Sequence, residues 1–174
     1  PYLPDLLICH PFLAIEVRME LDRWLASATA SLVEQITTAY ETFDTQRIGS
    51  LISAFVDDLS NWYVRRSRRR FWKSEDDSDK NEAYHTLHYV LVQLSMVLAP
   101  FTPFLAEELY QKLTGGESVH LLDWPKVGHI DELLLGEMDT VREYVNEVLS
   151  IRAKEGIKVR QPLANLQVPI EGQF

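Results

Sequence analysis

Cysteine is almost absent from this chain. Cys9 stands alone among 174 residues, so no disulfide can form within it. Such usage fits a reducing compartment. Glycine is scarce as well: seven are scattered along the chain, and no spacing among them matches a phosphate-cradling loop. No apolar run is long enough to cross a membrane. The stretch from Leu6 to Ile15 is interrupted by His10 and Pro11. It lacks a preceding basic region and a small-residue cleavage site, which argues against a secretory signal. Positive charge is the minority sign, with 17 Lys and Arg against 26 Asp and Glu and a formal net charge of −9. A chain of that balance repels polyanions on average. Apolar residues make up 46%, enough for a core in one domain of this length.

Against that acidic background stands one dense cationic run. Arg65-Arg66-Ser67-Arg68-Arg69-Arg70-Phe71-Trp72-Lys73 holds six cations in nine residues, and removing them from the −9 leaves −15 elsewhere. Arginine pairs bidentately with phosphate and stacks on bases. Trp62, Tyr63, Phe71 and Trp72 add flat apolar surfaces between the charges. Arginine and aromatics together are a footprint for a nucleic-acid backbone. At about 100° per residue, Ile48, Leu51, Ile52, Phe55, Leu59 and Trp62 share one helical stripe. Arg65, Arg66, Arg69, Arg70 and Lys73 continue it, while Val64 and Phe71 fall on the far side. Either the helix runs on and offers a cationic ridge to a partner, or it kinks or stops before Arg68. A solvated helix face is the ordinary reading of a charge run; one sign of charge continuing an apolar stripe speaks against it here.

The rest of the chain reads as helical. Leu21, Leu25, Ala28, Leu32, Ile36, Ala39 and Phe43 mark a long first helix. Asp44 or Thr45 caps the second, which carries the arginines. Glu75 to Lys80 reads as a loop. Tyr84, Leu87, Leu91, Leu94 and Leu98 mark a third helix that is apolar nearly all round and therefore central. Pro100 ends it, and Thr102-Pro103 opens a fourth with proline at its first position. Gly115-Gly116 closes that helix. Leu134, Met138, Val141, Val145 and Val148 mark a fifth, ending near Gly156. From Ile157 to Ile170 the pattern turns extended. The expected fold is an all-α bundle of about five helices with a short extended C-terminal tail.

Catalytic chemistry is hard to find. Glu82-Ala-Tyr-His85 and Glu117-Ser-Val-His120 both match the Glu-x-x-His pattern of di-iron bundles. The second copy lies past Gly115-Gly116, outside the expected helix, where it has no access to a bundle core. His88, on the central helix, reads as a hydrogen-bonded core histidine.

Several segments, in order, carry a family resemblance. Leu21-Asp22-Arg23-Trp24 opening a long helix resembles the start of the anticodon-binding domain of class Ia aminoacyl-tRNA synthetases. Asp57-Asp58-Leu59-Ser60-Asn61-Trp62-Tyr63 with the Arg-rich run after it resembles isoleucyl-tRNA synthetases of the archaeal and eukaryotic type. Leu98-Ala99-Pro100-Phe101-Thr102-Pro103-Phe104-Leu105-Ala106-Glu107-Glu108-Leu109-Tyr110 is similar to the hinge between two helices of that domain. Ser118-Val119-His120 with Asp123-Trp124-Pro125, and Arg152 through Leu163, follow in family order. Valyl, leucyl and methionyl enzymes share the domain and this type of hinge; the Ser-Asn-Trp-Tyr and Arg-rich run is what favours isoleucine. Nothing in residues 1–17 adds to it.

The resemblance implies a tRNA-holding domain over residues 18–156, the start of a C-terminal junction over 157–174, and an unassigned leader before them. It implies a piece of a longer ligase that joins isoleucine to tRNA(Ile) with ATP and magnesium. The His-Ile-Gly-His and Lys-Met-Ser-Lys-Ser signatures of ATP handling do not occur in the chain, so no cofactor and no charging activity are expected of it alone. The implied partners are tRNA(Ile) and the catalytic and C-terminal domains of the parent, in a cytoplasmic monomer without a membrane. Arg65, Arg66, Arg69, Arg70 and Lys73 are expected on phosphates, with Asn61, Trp62 and Arg160 as further RNA candidates. Some arginines near Trp72 have the alternative of bracing the catalytic domain. The rival from another class is a helical protein-interaction module without RNA binding, its arginines paired to an acidic partner.

Overall fold

The computed structural model describes residues 19–73 and 77–165. They are helical, with no strand among them. In chain order the α-helices are α1 (Glu20–Glu41), α2 (Thr45–Asp58), α3 (Arg68–Lys73), α4 (Asp77–Leu98), α5 (Pro103–Thr114) and α6 (Glu132–Lys154). A π-helical segment, Leu59–Val64, follows α2, and a 3₁₀ turn, Val119–Leu121, follows α5. None of these helices is long and apolar enough to cross a membrane. The chain divides into two units, one ending at Asp131 and one beginning at Glu132.

In the first unit α1 is the structural floor. Trp24, Leu25, Leu32, Val33, Ile36 and Ala39 are buried along it at helical spacing. It packs on α2, the π segment and α4. The central place expected of the Tyr84–Leu98 helix is found: α4 touches α1, α3, α5 and the 3₁₀ turn, and buries Ala83, Thr86, Val90, Leu94 and Val97. Asp44 caps α2, its carboxylate accepting from the Arg47 amide at 3.0 Å. Thr102 occupies the cap position before Pro103, yet its side chain makes no capping bond. Gly115 ends α5 in the left-handed conformation, φ 68°, which costs glycine least.

The loop after α5 is tied down by Glu107. Its Oε2 accepts from the Ser118 hydroxyl at 3.0 Å and the Val119 amide at 2.9 Å, and its Oε1 accepts from Gln111 Nε2 at 2.8 Å. Trp124 then returns to α1, donating Nε1–H to Thr37 Oγ1 at 2.9 Å and meeting the Tyr40 ring edge-on at 5.3 Å. Arg23 holds Asp131 at 3.0 Å. His88 is half-buried and donates to the Leu113 carbonyl at 2.9 Å, as its place on the central helix led us to expect.

In the second unit α6 ends at Lys154, and Gly156 turns the chain with φ 65°. Arg152 donates to the carbonyls of Lys158 at 3.1 Å and Gln161 at 2.9 Å, so residues 157–161 curl back as turns. No strand forms through Asn165; residues 166–170, the rest of the expected extended tail, lie outside the described residues, as does the 1–17 leader.

Candidate nucleic-acid interface

The arginine helix does not run straight. Of the two geometries the sequence allows, the interrupted one is present, and it accounts for a sixth helix where about five were expected. The residues from Leu59 to Val64 are wound as a π-helix; the Arg65 amide donates to the Ser60 carbonyl at 3.1 Å, a five-residue step. A turn over Arg65–Ser67 follows, then the short α3. Wider winding changes which residues face inward. Phe55, Leu59, Tyr63, Ser67 and Phe71 are all buried, a repeat of four. Four residues of regular α-helix overshoot a full turn by about 40°, so the stripe drawn at 100° per residue drifts off the true buried face. Two expectations are corrected on that ground. Trp62 is half-buried, and the fully buried ring is its neighbour Tyr63. Phe71, expected on the far side, is in the core, edge-on to Tyr63 at 6.4 Å.

The same geometry sorts the arginines. Arg65, Arg66, Arg68 and Arg69 flank the buried Ser67 on both sides and are exposed. With Trp72 they line an open concavity of about 610 Å³. The Arg66 guanidinium lies over the Trp62 ring at 5.1 Å, and that of Arg68 over Trp72 at 5.5 Å. Cation–π contact holds a flexible arginine in place at modest energy, about 0.5–1 kcal/mol when exposed. Among the described residues Arg65 and Arg69 make no ion pair. Among the described residues that line it, the rim presents four like charges to solvent and no carboxylate.

Arg70 is different. Its side chain is 12% exposed and turned inward. Nη1 and Nη2 grip Asp22 Oδ1 and Oδ2 at 2.8 and 2.7 Å, and Nε donates to Asp79 Oδ1 at 2.7 Å. Tyr63 donates its hydroxyl to Asp22 Oδ1 at 2.6 Å. The hydrogen bond to Asp22 raises the Arg70 pKa above its ordinary value, despite burial acting the other way. Burial first, and then the bond to Asp22, push the Tyr63 phenol well above the tyrosine range. These groups tie α1, the π segment, α3 and α4 together beneath the concavity. The fork of Arg70 is committed there and is not offered to a phosphate.

Of the remaining expected residues, Asn61 is exposed and donates Nδ2–H to Asp57 Oδ1 at 2.8 Å. Lys73 closes α3. Arg160 is exposed in the turn beyond α6, in the second unit. Arg68 and Trp72 were missed as site residues, because the 100° stripe leaves both off the ridge. The four-residue spacing of Tyr63, Ser67 and Phe71 was the signal that would have found them. Of the two Glu-x-x-His patterns, His120 sits in the 3₁₀ turn with Nε2 4.0 Å from Glu107. Among the described residues no three potential metal ligands converge.

Residues 22–168 match the family described as the anticodon-binding domain of tRNA ligase. Isoleucine–tRNA ligase of Dehalococcoides mccartyi (strain CBDB1) is 50% identical over 165 residues, covering 90% of this chain and 16% of its own length. The enzyme of that name from Streptomyces avermitilis is 47% identical over 163 residues, covering 89% of this chain and 15% of its own. That from Thermus thermophilus is 46% identical over 162 residues, with 88% and 16% covered. All three are bacterial, so the archaeal and eukaryotic type expected from the Arg-rich run is not supported. The chain spans about one sixth of the length of these relatives. The match over residues 22–168 places the chain in the family of tRNA-ligase anticodon-binding domains.

Proposed function

We propose that this chain holds the anticodon arm of tRNA(Ile) for an isoleucine–tRNA ligase, so that the distant acceptor end reaches a catalytic site elsewhere in the enzyme. The observation that carries the reading is the set of Arg65, Arg66, Arg68 and Arg69 around one open concavity in a chain of net charge −9. Phosphates are the ligands that suit it: guanidinium forks match their geometry, and the surrounding acidity disfavours looser binding of polyanions. The names of the relatives support isoleucine as the amino acid. In the longer enzyme ATP with magnesium drives the ligation. This chain has neither ATP signature, so it binds and positions without charging. Asn61 extends the RNA contact, Arg160 of the second unit is a separate RNA candidate, and residues 157–174 begin the junction to the next part of a monomeric, cytoplasmic ligase.

The test is the salt dependence of tRNA binding by filter assay. Four phosphate contacts release counterions worth a log–log slope of about −3 to −4. A tRNA with an altered anticodon should bind more weakly than tRNA(Ile). Affinity that does not change with salt would overturn the assignment.

A further inference from the structure

Phe43 follows the end of α1 with φ 55°, a left-handed conformation in which glycine is the least costly residue. A bulky side chain is strained there. Packing does not offset the strain, because the ring is 88% exposed. Phe104, 91% exposed, stands in the first turn of α5, and Leu121 is exposed in the 3₁₀ turn. The Tyr40 ring joins these segments beneath, edge-on to Phe101 at 6.3 Å and to Trp124 at 5.3 Å. Pro100, Leu122 and Trp124 also line a hollow of about 200 Å³. Exposed apolar residues scattered singly are ordinary, whereas a contiguous group marks a contact surface.

The charge around this surface has one sign. In residues 40–44, 99–105 and 119–125 the ionised side chains are Glu41, Asp44 and Asp123, all exposed. The basic side chain among them, His120, lies 4.0 Å from Glu107. Helices α1 and α4 both end here, and neither has a lysine or arginine in its last turn. Their terminal carbonyls add partial negative charge. A phosphate backbone is repelled by such an end. Asp22 and the arginine rim above it stand at the other end of α1, roughly 30 Å away at about 1.5 Å per residue. A polypeptide carrying cations and apolar side chains fits instead. Among the described residues there is no strand for it to extend. Its backbone must therefore satisfy its own hydrogen bonds, as a helix does.

We infer that this end of the bundle is a docking face for a basic amphipathic helix of another protein. Its apolar side chains seat on Phe43, Phe104 and Leu121, and its lysines or arginines face Glu41, Asp44 and Asp123. The inference goes beyond the RNA-holding role and does not depend on it.

The probe is a labelled helical peptide with leucine on one face and lysine on the other, titrated against the chain by fluorescence anisotropy. It should bind. Two variants of it should not, one with serine for leucine and one with glutamate for lysine. No binding of the leucine–lysine peptide, or equal binding of either variant, would overturn the proposal. Phe104→Ser should weaken the peptide by about tenfold to a hundredfold, the range for one phenyl ring left in water. It should leave tRNA binding as it was. Phe43→Gly should weaken the peptide by a similar factor while keeping the urea midpoint at or above that of wild type, since glycine relieves the left-handed strain. A variant no less stable yet poorer in binding does not owe its loss to unfolding. Peptide affinity equal to wild type in both variants would overturn the docking face. So would an RNA hairpin that displaces the peptide, which gives this end to RNA. Self-association of the chain that Phe104→Ser abolishes would give it to a second copy. A peptide that binds the chain but not the longer ligase would give it to the ligase's own residues, and either result overturns the proposal. Arg69→Ala should leave peptide affinity unchanged, so failure of the RNA reading and failure of this one are told apart.

Discussion

Arg70 and Asp22, 48 positions apart, form a two-bonded ion pair at 2.7 and 2.8 Å, with the Asp22 side chain wholly buried. The pair fixes the short helix α3 against the start of α1. It also removes one arginine from the rim and leaves its four neighbours facing solvent. A sixfold cationic run is thereby split between scaffold and surface.

Arg70→Ala should leave the Asp22 charge buried and uncompensated. The expected cost is about 3–5 kcal/mol, the usual penalty for breaking one side of a buried pair. Arg70→Lys should recover only part of it, because an ammonium does not reproduce the fork. Urea unfolding followed by circular dichroism measures both. Wild-type stability in Arg70→Ala, together with weakened RNA binding, would return Arg70 to the phosphate contacts.

Arg69→Ala should behave in the opposite way. Its exposed side chain makes stability nearly indifferent to the change. Affinity for any tRNA should fall by a similar factor, and the salt slope should flatten by about one unit. Anticodon preference should not move, since phosphates carry no sequence information. A slope equal to that of wild type would remove Arg69 from the interface.

The pH dependence of stability isolates Tyr63. Its folded pKa is raised, so the neutral form is the one the fold favours. The stabilisation is complete below the unfolded tyrosine pKa of about 10 and is lost as pH rises above it. Between pH 9 and 11, wild-type stability should fall more steeply than that of Tyr63→Phe, by about 1.4 kcal/mol per unit once past the unfolded value. Below that range Tyr63→Phe should be less stable by about 1.5–3 kcal/mol, the loss of a hydrogen bond to a charged group. Parallel curves for the two proteins would show that Tyr63 does not carry the effect. Tyr40, also raised by burial, contributes in the same direction to both.

Glu107→Ala should release the 3₁₀ turn from α5, because one carboxylate accepts from both Ser118 and Val119. A cost of about 1–3 kcal/mol is expected from charge-assisted bonds that are partly exposed. Hydrogen exchange at the Val119 amide should accelerate well before global unfolding does. Unchanged protection there would mean that Trp124 and Tyr40 hold the segment without it.

Local chemistry is what made most of the fold legible. The α1, α4 and α5 patterns, the Asp44 cap, Pro103 at a helix start, and Gly115 and Gly156 at helix ends each depend on a few neighbouring residues. The same holds for the contrast between an acidic chain and its arginine run, which by itself pointed to a phosphate-bearing partner. Helical phase beyond Leu59 was decided by contacts distant in sequence. Burial of Tyr63 and Phe71 against α1 and α4, and the Asp22–Arg70 pair, favour a wide π turn over continued α-helix. A hydrogen bond to a carboxylate 41 positions away leaves no periodic trace. The residue types alone therefore determined that this chain is helical and that its cations are gathered in one run. Only the tertiary structure decided which arginine is scaffold, which four are surface, and that Trp72 stands among them, because each answer turns on a partner brought close by folding.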